Sequence, residues 1–133
     1  MFKQHAQIDQ IGFVVEDLEA AMKEYSQIYH VKQWYRPVNH SRQPVYYLNQ
    51  AIPTESVDLV VGYCGSTEIE LIVSTARENI YVNFLRENGQ GMHHISYFVR
   101  DLEAEVYKYE AMGFEKVQSG ELSNWCNTVR YAY

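Results

Sequence analysis

Gln10 and His94 stand at the same point of two copies of one short sequence unit. The run Gln10-Ile11-Gly12-Phe13-Val14-Val15-Glu16-Asp17-Leu18-Glu19-Ala20 returns 84 residues later as His94-Ile95-Ser96-Tyr97-Phe98-Val99-Arg100-Asp101-Leu102-Glu103-Ala104, with six identities, and Tyr25 matches Tyr109 at the same offset. A duplicated unit places an amide oxygen and an imidazole nitrogen at equivalent points of two related strands. Joined by a carboxylate, these donors suit a borderline or hard divalent ion such as Mn, Co, Ni, Zn or Mg, with positions left open for substrate oxygens. Glu68 and Glu70 share one strand face by alternation, whereas His93 belongs by the same rule on the face opposite His94. The plainer roles are structural: a local hydrogen bond for Gln10 and His94, and a solvated strand-end charge for Glu68.

The elements that must position these groups follow from periodicity. In each copy an apolar, β-branched run of strand length precedes an Asp in N-cap position, Asp17 or Asp101, with Glu19 or Glu103 placed to favour the helix dipole. Apolar residues at Leu18, Ala21, Met22, Tyr25 and Ile28 then keep helical spacing, as do Leu102, Val106 and Tyr109, with Gly113 as the stop. Strands are expected at 32–36, around 46–48, at 57–63 and at 69–73. A connecting helix at 77–88 is expected to turn Ile80 and Phe84 inward and to stop at Asn88-Gly89. Strand 92–99, helix 102–112, and strands 115–119 and 126–133 complete the set. The reading is an α+β fold of paired βαβββ modules forming a curved mixed-sheet cup. One domain covers 1–133, with module one at about 8–75, the connector at about 77–88 and module two at about 91–133. No later segment matches the strand that carries Glu70, so the second module is expected to lack its last strand.

The totals narrow the function. At 133 residues the chain holds one core. A net charge of −6 with scattered basic residues excludes a nucleic-acid footprint, and no apolar run is long enough for a membrane span or secretory signal, so a cytoplasmic protein is expected. Cys64 and Cys126 are too few for a disulfide framework and read as two reduced thiols in or near the core. Twelve tyrosines supply rings with polar tips that can line a pocket for a small molecule, although most of them read more simply as core and strand residues.

The duplicated βα pattern, the strands Q-I-G-F-V-V and H-H-I-S-Y-F-V, the I-E-L at 69–71 and the connector N-F-L-R-E-N-G-Q-G-M-H-H-I-S together resemble the vicinal oxygen chelate superfamily, which includes glyoxalase I and the bleomycin-resistance proteins. The methylmalonyl-CoA epimerase branch is the nearest in pattern. The resemblance implies a divalent metal held by one side chain from each of four strands, and it assigns Gln10, Glu70 and His94 to three of them. The fourth, a glutamate on the last strand of module two, has no counterpart. Glu55 falls where the epimerases carry one of two carboxylates for proton transfer. The implied function is a metal-dependent isomerase or lyase acting on an α-proton next to a (thio)ester or ketone carbonyl. The alternatives are a non-catalytic small-molecule binding protein of the same fold, or glyoxalase I itself. The unpaired last edge implies a homodimer.

Overall fold

The computed structural model describes residues 7–53 and 57–133. The elements run β1 (Gln10–Val14), α1 (Leu18–Tyr29), β2 (Val45–Tyr47), β3 (Gln50–Ile52), β4 (Val57–Cys64), β5 (Thr67–Ser74), α2 (Ile80–Asn88), β6 (Gly91–Ser96), α3 (Leu102–Ala111), β7 (Gln118–Ser123) and β8 (Thr128–Ala132). The strands form two four-stranded sheets, a mixed one in the order β4-β5-β1-β6 and an antiparallel one in the order β3-β2-β7-β8. In the first, β1 lies parallel to β5 and antiparallel to β6, so the two repeat strands are neighbours.

The repeat is visible in atomic detail at the helix starts. Asp17 Oδ1 accepts a hydrogen bond from the Ala20 amide and Asp101 Oδ1 one from the Ala104 amide, both at 3.0 Å, so the same cap opens α1 and α3. The helix α2 is capped by buried Asn79, whose Oδ1 accepts from the amides of Tyr81 and Val82. It ends at Gly89, whose φ of 75° is costly for any side chain.

Alternation along β1 and β5 gives the mixed sheet two unlike faces. Phe13, Ile69 and Leu71 point to α1 and pack with Leu18, Ala21, Val31 and Val60 into the main core, where a fully buried Leu or Ile contributes about 1.5–3 kcal/mol. The opposite face carries Gln10, Gly12, Glu68 and Glu70 at one end. Toward α2 it becomes apolar, with Val14, Ile72 and Tyr81 in a second buried cluster. The chemistry-bearing residues therefore sit on the sheet face turned away from α1, on an apolar floor.

Several expectations are corrected. Residues 32–36 form no strand, only a bridge from Tyr35 to Val61. The segment around 46–48 is a hairpin, β2 and β3, and β2 pairs with β7 of the second module. β7 begins three residues later than the apolar pattern suggests. Both cysteines are exposed rather than part of the core. α3 buries none of its residues fully and is tied to β8 by a two-pronged ion pair between Glu103 and Arg130. No helix among the described residues is long and apolar enough to cross a membrane.

Candidate metal centre

Register brings the sequence-nominated side chains together. Gln10 lies between Glu68 on β5 and Ser96 on β6, and Gly12 between Glu70 and His94. Because Gly12 has no side chain, the His94 ring lies over it. A β-carbon built on Gly12 would overlap that ring and stand 2.6 Å from its Nδ1. The space left by one glycine is where the polar atoms converge: Gln10 Oε1 is 3.2 Å and Glu70 Oε2 3.3 Å from His94 Nε2. Glu55 lies outside the described residues.

The burial of this group has a cost. Glu70 is only 7% exposed, and its Oε2 accepts no hydrogen bond despite the close approach of His94. A buried acceptor left without a partner costs about 1–3 kcal/mol, and more when it carries charge. Such an atom, in contact only with the His94 ring nitrogen, keeps acceptor capacity that a water or an ion could use.

Surrounding groups fix the orientation of the donors. Gln10 Nε2 donates to Glu68 Oε1 at 2.8 Å, which turns the amide oxygen toward His94, and Tyr63 donates to the other oxygen of Glu68 at 2.9 Å. Ser96 Oγ donates to Gln10 Oε1 at 3.1 Å. Glu68 is thus a partner of Gln10 rather than a free strand-end charge. Single-sequence reasoning misses this because the link spans the β1–β5 register.

His93 is not on the opposite face. A β-bulge inserts it between His94, opposite Gly12, and Met92, opposite Phe13, and this breaks the alternation. Its Nδ1 lies 2.9 Å from His94 Nδ1, and its ring packs among Tyr81, Phe84 and Tyr133. Burial, followed by the neighbouring His94, lowers His93 to about 4, so it is neutral at pH 7. A proton carried on His94 Nδ1 toward His93 would leave Nε2 its lone pair for the Gln10–Glu70 side, the tautomer a metal-binding imidazole needs.

Tyr133, which follows β8, also reaches this point and was not singled out from the sequence. Its hydroxyl lies 3.4 Å from His94 Nε2 and accepts a hydrogen bond from the Tyr81 hydroxyl at 3.1 Å. Burial, followed by the Glu70 charge, raises Tyr133 well above the ordinary phenol range and pushes Tyr131 up to about 12. Among the described residues no three His, Cys, Asp or Glu side chains cluster for a metal, so any such centre depends on the Gln10 amide. A cavity of about 390 Å³ lies between α3 and the β7–β8 hairpin, where Tyr131, 5.7 Å ring to ring from Tyr133, forms part of its wall.

Comparison with known proteins agrees with this architecture. The family model of the Glyoxalase/Bleomycin resistance protein/Dioxygenase superfamily matches residues 9–132. A search of curated proteins finds no match. Among solved structures, the methylmalonyl-CoA epimerase of Mycobacterium tuberculosis is similar, with a TM-score of 0.65 and 16% identity over 95% of this chain and 77% of that one. A hypothetical protein from Bacillus halodurans gives 0.62 and 18% over 90% and 86%. A variant of the Streptomyces coelicolor methylmalonyl-CoA epimerase in complex with 2-nitronate-propionyl-CoA gives 0.61 and 19% over 88% and 86%. At these identities the likeness to solved structures is one of fold. The family match covers nearly the whole sequence, and the chain belongs to the Glyoxalase/Bleomycin resistance protein/Dioxygenase superfamily.

Proposed function

We propose that the chain binds one divalent metal ion through Gln10 Oε1, Glu70 and His94 Nε2 and acts as an isomerase or lyase on an α-proton next to a (thio)ester or ketone carbonyl, in the manner of a methylmalonyl-CoA epimerase. The observation that carries this reading is the spacing around His94 Nε2. Two donors bound at about 2.1 Å to one ion lie about 3.0 Å apart at right angles and about 3.4 Å apart at tetrahedral angles. The separations of 3.2 Å to Gln10 and 3.3 Å to Glu70 fall in that interval, and the orphaned Glu70 oxygen supplies a reason for the ion to bind. The donor set of amide, carboxylate and imidazole fits Co, Ni, Mn, Zn or Mg.

A bound divalent ion supplies Lewis-acid stabilisation for the oxyanion that develops as a proton leaves the carbon beside a carbonyl. The protein's own tasks are separate. Glu68 and Ser96 hold the Gln10 amide in place, His93 holds the His94 ring, and Gly12 keeps room between them. Glu55 is the proposed base that takes the α-proton.

Calorimetric titration with Co(II) tests the binding. One equivalent should bind to the native chain and none to His94→Ala, and failure of the native chain to bind removes the reading. For the chemistry, the Co(II)-loaded protein should exchange the α-proton of methylmalonyl-CoA with D2O, followed by NMR. Glu55→Gln should slow that exchange by about 100-fold or more.

A further inference from the structure

Gln10, Glu70 and His94 all belong to the mixed sheet, but one more oxygen approaches the same imidazole nitrogen from the antiparallel sheet. It is the hydroxyl of Tyr133, 3.4 Å from His94 Nε2. That separation completes the series 3.2, 3.3 and 3.4 Å, the top of the interval expected for donors sharing one ion. We propose that the Tyr133 oxygen is the fourth protein donor to the ion held by Gln10, Glu70 and His94, an inference that rests on the metal reading above.

Backbone hydrogen bonds and ring packing hold this side chain in place. The Tyr133 amide donates to Gln118 O at 2.7 Å and its carbonyl accepts from the Val117 amide at 2.8 Å, which fixes the backbone beside β7. The ring meets His94 edge-on with centroids 4.8 Å apart and Tyr81 at 6.0 Å and 88°. The Tyr81 hydroxyl donates to the Tyr133 oxygen, so the oxygen already accepts and its remaining lone pair is available to a cation. On coordination the phenolic proton leaves to water, the oxygen lone pair goes to the ion, and the Tyr81 hydrogen bond is kept by a now anionic acceptor. A hard, oxygen-preferring centre results, built from both sheets.

Ferric ion is the probe, because phenolate bound to Fe(III) absorbs visible light by charge transfer and the other three donors do not. The native chain loaded with Fe(III) should show such a band. Tyr133→Phe, which keeps the ring and its packing, should lose it and bind Co(II) at least tenfold more weakly by calorimetry, with an unchanged far-ultraviolet circular dichroism spectrum. Tyr81→Phe should keep the band and shift its energy. An ion bound by the native chain without the band, or a band that survives in Tyr133→Phe, overturns the proposal and leaves the three-donor site intact. Failure of the native chain to bind either ion removes the metal reading itself and the Tyr133 proposal with it.

Discussion

At the scale of single residues, Gly12 carries a burden that its chemistry hides. It donates nothing to a ligand, yet the ring of His94 occupies the volume its side chain would fill. Gly12→Ala must push that ring off the sheet, and overpacking of this kind costs about 1–3 kcal/mol. The expected outcome is a protein that still folds, melts earlier and has lost Co(II) binding in calorimetry, although every donor atom is still present. Unchanged affinity in that variant would mean that His94 is free to choose another position. A glycine inside an apolar strand pattern is a sequence signal for close approach, and the run Gln10-Ile11-Gly12-Phe13 carries that signal in its residue types alone.

At the scale of elements, local and periodic features were legible in the sequence and long-range ones were not. The two Asp caps, the helices and the first strand of each copy follow from short-range rules, and the repeat alone places Gln10 and His94 on equivalent strands. The link from Gln10 to Glu68 depends on parallel register across 58 residues, which no local rule supplies. The His93 bulge defeats alternation because an inserted residue turns neighbouring side chains to one side. Tyr133 was missed because its place beside His94 depends on how the second sheet meets the first. The tyrosines where α2 meets the second sheet should give the fold a pH response. Tyr131, pushed up to about 12, and Tyr81 and Tyr133, also raised, all have folded values above the unfolded value near 10. The stability tied to their protonated forms is fully present below pH 10 and is lost as pH rises through the folded values. Urea midpoints should fall between pH 10 and 12, and Tyr131→Phe should reduce that slope. Equal slopes in the two proteins would show that Tyr131 does not contribute.

For the whole molecule, the consequence lies in the order β4-β5-β1-β6. Gln10 and His94 are 84 residues apart, and β1 lies parallel to β5, a kind of pairing that closes slowly because the loop between the strands must be ordered first. Until the mixed sheet is assembled the proposed donors are dispersed along the chain, so an ion would have nothing to hold during the search for the native topology. An ion that binds only the finished fold stabilises it by mass action and acts on escape from that state, not on entry to it. In stopped-flow chevrons, Co(II) at 100 times its Kd should slow unfolding by about 100-fold and leave the refolding limb where it was. A faster refolding limb would place the three strands together already in the transition state. With the expected result, metal uptake becomes a clock that starts only when the chain has finished folding.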